Sequence, residues 1–113
     1  MDDKQKEKEI KMTKPFAQLR TIEVEEIKKM SIVEVLREWG HESVRVSGNK
    51  AFYFSPLRSE KHPSFVVYLK DDAQDWFDFG SGEGGSIIDL TMKFFGIPYI
   101  EAIRMLRHRL FGR

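Results

Sequence analysis

Asp78-Phe79-Gly80-Ser81-Gly82-Glu83-Gly84-Gly85-Ser86 is the stretch on which the reading of this chain turns. It offers three meanings. Its first three residues match the magnesium-holding Asp-Phe-Gly of phosphoryl-transfer enzymes. Gly80, Gly82 and Gly85 also satisfy the G-x-G-x-x-G spacing of a dinucleotide-binding turn. The third meaning is a sharp turn without chemistry. The first needs a glycine-rich phosphate loop, a paired lysine and a catalytic loop, and a chain of 113 residues holds none of them. The second has a strand before the glycines and a helix after them, so backbone N–H groups could meet a phosphate. It further requires a second parallel strand ending in an acid about 20 residues on. Glu101 stands at that spacing but inside a helical pattern. A tight glycine turn remains, with a lone phosphate contact at the Ser86 helix start as its alternative.

Upstream of the glycines the side chains repeat every second residue. Ser43 to Ser47, Lys50 to Phe54, Ser64 to Leu69 and Asp75 to Phe79 read as strands, the first two joined by a Gly48-Asn49 turn. Before them, Ser31 and Glu34 have capping-box spacing. Ile32, Val35, Leu36 and Trp39 then mark one helical face that ends at Gly40. After the glycines, Ser86 caps a helix with Asp89 at its positive end and Ile87, Leu90, Thr91, Phe94 and Phe95 on its buried side. Gly96 ends that helix, and Pro98 opens a last one striped by Tyr99, Ala102, Ile103, Leu106 and Leu110. The fold class is α+β: an antiparallel sheet of about four strands flanked by N-terminal and C-terminal helices. Residues 1–21 read as a charged flexible arm and residues 22–113 as the domain.

Composition narrows the chemistry. Hydrophobic residues make up 41% and charged residues 33%, with a net charge of only +1, so affinity for nucleic acid must come from local clusters. There is no cysteine, which removes disulfides, thiolate metal sites and a cysteine nucleophile. No apolar run approaches the roughly 18–20 residues that span a bilayer, and the charged start lacks the apolar core of a signal peptide. The expectation is a cytoplasmic protein that engages no membrane.

Two loops carry a likeness. Ser55-Pro56-Leu57-Arg58-Ser59-Glu60-Lys61-His62-Pro63-Ser64-Phe65, followed by Trp76-Phe77-Asp78-Phe79-Gly80-Ser81-Gly82-Glu83-Gly84-Gly85-Ser86-Ile87-Ile88-Asp89-Leu90, resembles the zinc-binding N-terminal domain of bacterial DNA primases. That CHC2 zinc-finger family reads C-P-x-H-x-E-K-x-P-S-F and then C-x-x-C-G-x-G-G-x-x-I-D-F. The wording is similar to that of primase-like proteins of mobile elements. The resemblance covers about residues 24–110 and implies a zinc-ribbon-like domain whose second knuckle is the glycine stretch. It places the family's metal ligands at Ser55, Arg58, Asp78 and Ser81.

Zinc takes thiolate sulfur and imidazole nitrogen, whereas Arg58 is a permanent cation with no lone pair to give. A zinc-free domain with no cofactor is therefore expected. An Arg58–Asp78 pair, supported by Ser55 or Ser81, would join the loops the metal joins in relatives. If exposed, such a pair contributes only about 0–1 kcal/mol, leaving Phe54, Leu57, Phe65, Phe77 and Phe79 to supply the packing. The alternative has Arg58 in solvent and Asp78 capping the glycine turn.

The resemblance also implies contact with single-stranded or template DNA, which requires cations for phosphates and exposed rings for unpaired bases. The candidates are Arg45, Lys50, Arg58, Lys61, His62 and Lys70, with Tyr53, Tyr68 and Trp76 as rings. Tyr68 and Trp76 are expected on the sheet face opposite Phe65 and Phe77. Arg104, Arg107 and His108 share a helical side, as a second phosphate-contacting face or as partners of the helix's negative end. No catalytic constellation stands out, and the family's catalytic (toprim) domain is absent, so a fragment or an accessory protein without its own active centre is expected. The function expected is DNA binding in replication or mobilisation of DNA. The alternative is a protein-interaction module that docks on a primase, helicase or mobilisation protein.

Overall fold

The computed structural model of the chain describes residues 23–59 and 61–112. The segment expected as a charged arm lies outside them. The described elements are α1 (residues 23–28), α2 (Ile32–Glu38), β1 (Arg45–Ser47), β2 (Lys50–Tyr53), β3 (Phe65–Tyr68), β4 (Asp75–Asp78), β5 (Glu83–Gly85), α3 (Ile87–Phe95) and α4 (Tyr99–Phe111). The strands form one antiparallel meander in the order β1-β2-β3-β4-β5. The expected α+β arrangement is the one observed.

The sheet has five strands rather than about four, because part of the glycine stretch is itself a strand. The turn occupies only residues 79–82: the Gly82 and Ser81 N–H groups donate to the Asp78 carbonyl at 2.7 and 3.2 Å, and Gly82 takes φ 79°. Glu83, Gly84 and Gly85 then pair with Asp78, Phe77 and Trp76. Gly84 has no positive φ, so its backbone does not demand glycine. The neighbouring strand does: a Cβ there would lie 2.6 Å from Phe77 Cδ1 and 2.6 Å from the Trp76 carbonyl oxygen. The strand is made by this close approach and not by any apolar alternation of its own.

Register sorts the sheet into two faces. Tyr53, Phe65 and Asp78 form one cross-strand row, and Ala51, Val67 and Trp76 form the next. Directly paired side chains share a face, and all six are essentially buried. The helices cover that face with Ile27, Ile32, Val35, Leu36, Ile87, Leu90, Ala102, Ile103 and Leu106. Phe65 and Trp76 stack with centroids 5.2 Å apart and planes 12° apart, a geometry that adds about 0.5–1.5 kcal/mol beyond area burial. The Trp76 indole N–H donates to the Ser86 carbonyl at 2.8 Å, tying β4 to the start of α3.

That start is a full capping box. The Ile88 N–H donates to the Ser86 hydroxyl at 3.1 Å, and the Ser86 N–H donates to the Asp89 carboxylate at 2.8 Å. Gly96 closes α3 in the left-handed region at φ 65°. At α2 only half the box forms. The Ser31 hydroxyl accepts the Glu34 N–H at 3.1 Å, but the Glu34 carboxylate turns to Arg37 at 2.8 Å. A longer-range partner completes the cap: the Ile32 N–H donates to Gln74 Oε1 in the β3–β4 turn at 3.0 Å.

The aromatic ends of the helices differ from the expected stripe. Trp39 sits at the margin of the core, partly buried against it, and stacks on Phe94 at 4.5 Å, with Phe95 edge-on at 5.0 Å. Phe95, Tyr99 and Leu110, expected on the buried stripes, are exposed.

Candidate functional site

Beneath one end of the sheet the two loops are clasped by side chains. Asp78, the last residue of β4, points to the buried face and is 1% exposed. The Arg58 guanidinium, at the turn after Pro56, donates to both of its oxygens, Nη2 to Oδ1 at 2.9 Å and Nη1 to Oδ2 at 3.2 Å. Such a bidentate, charge-assisted pair is among the stronger side-chain contacts. The Ser55 hydroxyl adds a donor to Oδ2 at 3.3 Å and accepts the Leu57 N–H at 3.0 Å. The Gly80 N–H gives a further bond to Oδ1 at 2.9 Å.

The buried carboxylate is thus fully engaged, and the pair is no exposed surface bridge. Asp78 accepts from Arg58 and caps the glycine turn at once, so the expected pair forms, and of the alternative only the cap is found, not an Arg58 left in solvent. Ser81 stands apart: it is exposed, and its hydroxyl accepts the Glu83 N–H at 3.3 Å. Leu57 and Phe65 pack here as expected, whereas Phe54 and Phe79 are 45% and 62% exposed.

Among the described residues, the core cluster lies on one face of the sheet; the other face holds rings and cations around Val66, which is 3% exposed. One row runs unbroken through all five strands: Arg45, Phe52, Val66, Phe77 and Gly84. Phe52 and Phe77 are half-buried, and Phe79 stands edge-on to Phe77 at 4.7 Å. The Arg45 guanidinium lies 4.1 Å from the centre of the Phe52 ring, a cation–π contact. In the adjoining row Lys50 faces Tyr68, with Nζ 6.0 Å from the ring centre, and Tyr68 faces Asp75. Lys70 pairs with Asp75 at 2.7 Å, and that hydrogen bond raises the lysine above its ordinary pKa.

Of the residues expected to contact DNA, Arg45, Lys50 and Tyr68 share this outward face, and Lys61 and His62 are exposed in the loop before β3. Two expected rings require correction. Tyr53 is 0% exposed and Trp76 is 1% exposed, and both lie on the helix-covered face, where no base can reach them. Trp76 does not oppose Phe65 but stacks on it. Phe77 takes the outward position instead. Arg58 is committed to Asp78, and Lys70 to Asp75.

The rings that do face out are Phe52 and Phe77; neither is among the expected DNA contacts, and Phe77, with Phe79, was expected in packing. Strict alternation from Ala51 and Tyr53 was the available signal for Phe52. At the tail, Arg104, Arg107 and His108 line an open cleft of about 410 Å³ with Phe111 and Gly112. There Arg107 pairs with Glu23 at 2.9 Å and Arg104 with Glu101 at 3.4 Å.

A ribbon of antiparallel strands with clasped knuckles, in the expected order along the chain, is what the family comparison meets: the profile of the CHC2 zinc finger family matches residues 19–111. The chain belongs to the CHC2 zinc-finger family. A DNA primase of Geobacillus stearothermophilus is 34% identical over 77 residues, a match that takes in 68% of this chain and 12% of that primase. The chain spans only that small share of its relative's length.

CHC2 domains imply a bound zinc ion, and the donor set here does not fit one. The clasp fills the inner two positions with a guanidinium and the carboxylate it neutralises, and the outer two with hydroxyls. Zinc prefers thiolate and imidazole, and the chain has no cysteine. Among the described residues no group of three or more His, Asp or Glu side chains is placed to hold a metal ion. Nor is any described helix long and apolar enough to cross a membrane.

Proposed function

We propose that this chain is a zinc-free, primase-type domain that binds single-stranded DNA on its outward sheet face and contains no catalytic centre of its own. The observation that carries the reading is the row of Arg45, Phe52 and Phe77 flanking the buried Val66, on the sheet face opposite the helix-packed core of the described residues. Flat rings stack on unpaired bases whatever their sequence, and cations beside them hold phosphates. A base paired in a duplex offers only its edge and would gain nothing from the same rings. Family membership and the primase relative support DNA as the ligand. In this reading the domain, residues 22–113, acts in the cytoplasm in replication or mobilisation of a mobile element, beside a separate catalytic domain, helicase or mobilisation protein.

The test is fluorescence anisotropy with a labelled oligo-dT at low salt, competed by a duplex of the same length and repeated along a salt series. Micromolar or tighter binding that weakens with salt and resists duplex competition is the expected result. No binding to any oligonucleotide at low salt would overturn the reading and leave the fold as a module for docking proteins. Metal analysis of the purified protein tests the zinc-free claim separately, and a stoichiometry near one zinc per chain would refute it.

A further inference from the structure

The cross-strand row does more than offer rings; it sets a direction. We infer that a bound single strand crosses the sheet at right angles to the β-strands, with a phosphate on Arg45 and successive unpaired bases on Phe52 and Phe77. This rests on the single-strand reading above and specifies the path and the length of strand read.

Phe52 and Phe77 belong to β2 and β4, both in register with Val66 of β3 between them. Neighbouring strands are about 4.7–4.9 Å apart, which separates the two ring positions by about 10 Å. One base cannot stack on both, so each ring takes its own nucleotide, and the sheet reads about three or four nucleotides in all.

The ends of the row fix its use. At the β1 end, Arg45 rests on the Phe52 ring and enters no ion pair among the described residues. Its guanidinium covers one face of that ring, so a base stacks there as Arg45 swings aside to the adjoining phosphate. At the β5 end, Gly84 has no side chain, and the Phe77 ring occupies the space where a Cβ would stand. That ring leans over β5 and prolongs the flat surface to the sheet edge.

The neighbouring row offers less to a second path: its one cation in line is Lys50, Lys70 is held by Asp75 at 2.7 Å, and Asp71 and Asp72 are exposed in the turn beside it. A path along β4 toward the loop would need Arg58, which Asp78 already holds.

Labelled oligo-dT of increasing length, measured by anisotropy against the full chain and variants, tests this. Affinity should climb steeply to about four nucleotides and flatten beyond. Phe52→Ala and Phe77→Ala should each weaken binding by about 5- to 150-fold, measured at a temperature where circular dichroism shows each variant still folded. Arg45→Gln should lower the salt slope by about 0.7, the loss of one phosphate contact to a single strand. Lys61→Ala and His62→Ala should change affinity less than about twofold. If those two variants abolish binding while Arg45→Gln and Phe52→Ala do not, the strand follows β4 into the loop and the inference falls while single-strand binding stands. If the unaltered chain binds no oligonucleotide, the functional reading itself falls.

Discussion

Arg58 and Asp78 meet through two parallel hydrogen bonds, of 2.9 and 3.2 Å, across a separation of 20 residues in the chain. The carboxylate is buried and the guanidinium side chain is 32% exposed. Removing Arg58 leaves the Asp78 carboxylate buried without its cation, and removing Asp78 takes away the carboxylate that holds Arg58 against the loop; a buried charge left alone is costly. Asp78→Ala and Arg58→Met are each expected to destabilise the fold by about 2–4 kcal/mol. Arg58→Lys should restore less than half of the loss, because an ammonium cannot span both oxygens. The double variant should cost clearly less than the sum. Urea unfolding of the four proteins measures this, and additive losses would show that the clasp is not one unit.

Tyr53 presents the opposite case, a polar atom buried without a partner. Its hydroxyl makes no hydrogen bond in the described structure. Burial pushes its pKa up from 10.0 to about 12. An unfolded chain releases this proton at the lower value. The folded state is therefore favoured fully below pH 10 and loses that advantage as pH rises toward 12. Tyr53→Phe should keep stability within about 1 kcal/mol of the parent, on the stabilising side, at neutral pH. It should also flatten the alkaline loss. Thermal melts between pH 8 and about 12 check both.

Glu38 links α2 to α4 by accepting from Arg109 Nε at 2.8 Å, with Nη2 on its other oxygen. That hydrogen bond holds the carboxyl below its ordinary pKa of 4.5. The pair therefore stabilises the fold above that pH, and the contribution disappears as pH falls through the lowered value. Both groups are partly solvated, which limits the effect to under about 1 kcal/mol. Glu38→Gln should lower stability slightly at pH 7, and the gap from the parent should close in acid. A gap unchanged at pH ~3 would contradict the assignment.

Gly84→Ala should cost about 1–3 kcal/mol, because the added methyl meets a backbone carbonyl that cannot move aside. The same methyl displaces the Phe77 ring, so binding to oligo-dT should weaken as well. Unfolding and anisotropy of one variant read the two effects together.

Much of this architecture could be read from the sequence, and the failures are specific. Capping residues marked α2 and α3, because Ser31 and Ser86 act on N–H groups two or three residues away; α4 has no side-chain cap and was marked by Pro98 and its apolar stripe. The two clasped loops emerged from a family pattern, and opposite charges at two of its ligand positions suggested the pair. Sheet faces were harder. Period two tells that Phe77 and Trp76 face opposite ways, but not which way. Only the pairing Phe65↔Asp78 decides, and a shift of one residue reverses every assignment. Trp76 was therefore placed outside and Phe77 inside, the reverse of what is found. β5 escaped because Glu83-Gly84-Gly85 has no strand composition. Its place is set by the Phe77 ring that leaves room for nothing larger than hydrogen.

The clasp has a last consequence for how the domain answers to its surroundings. A ligand that holds a fold together stabilises it by an amount that depends on how much ligand is free. Arg58 and Asp78 are parts of the same molecule, present always in a ratio of one to one. Their bond contributes equally in a starved medium and in a rich one, and under the zinc-free reading proposed above no ion has to be delivered after synthesis before the two knuckles close.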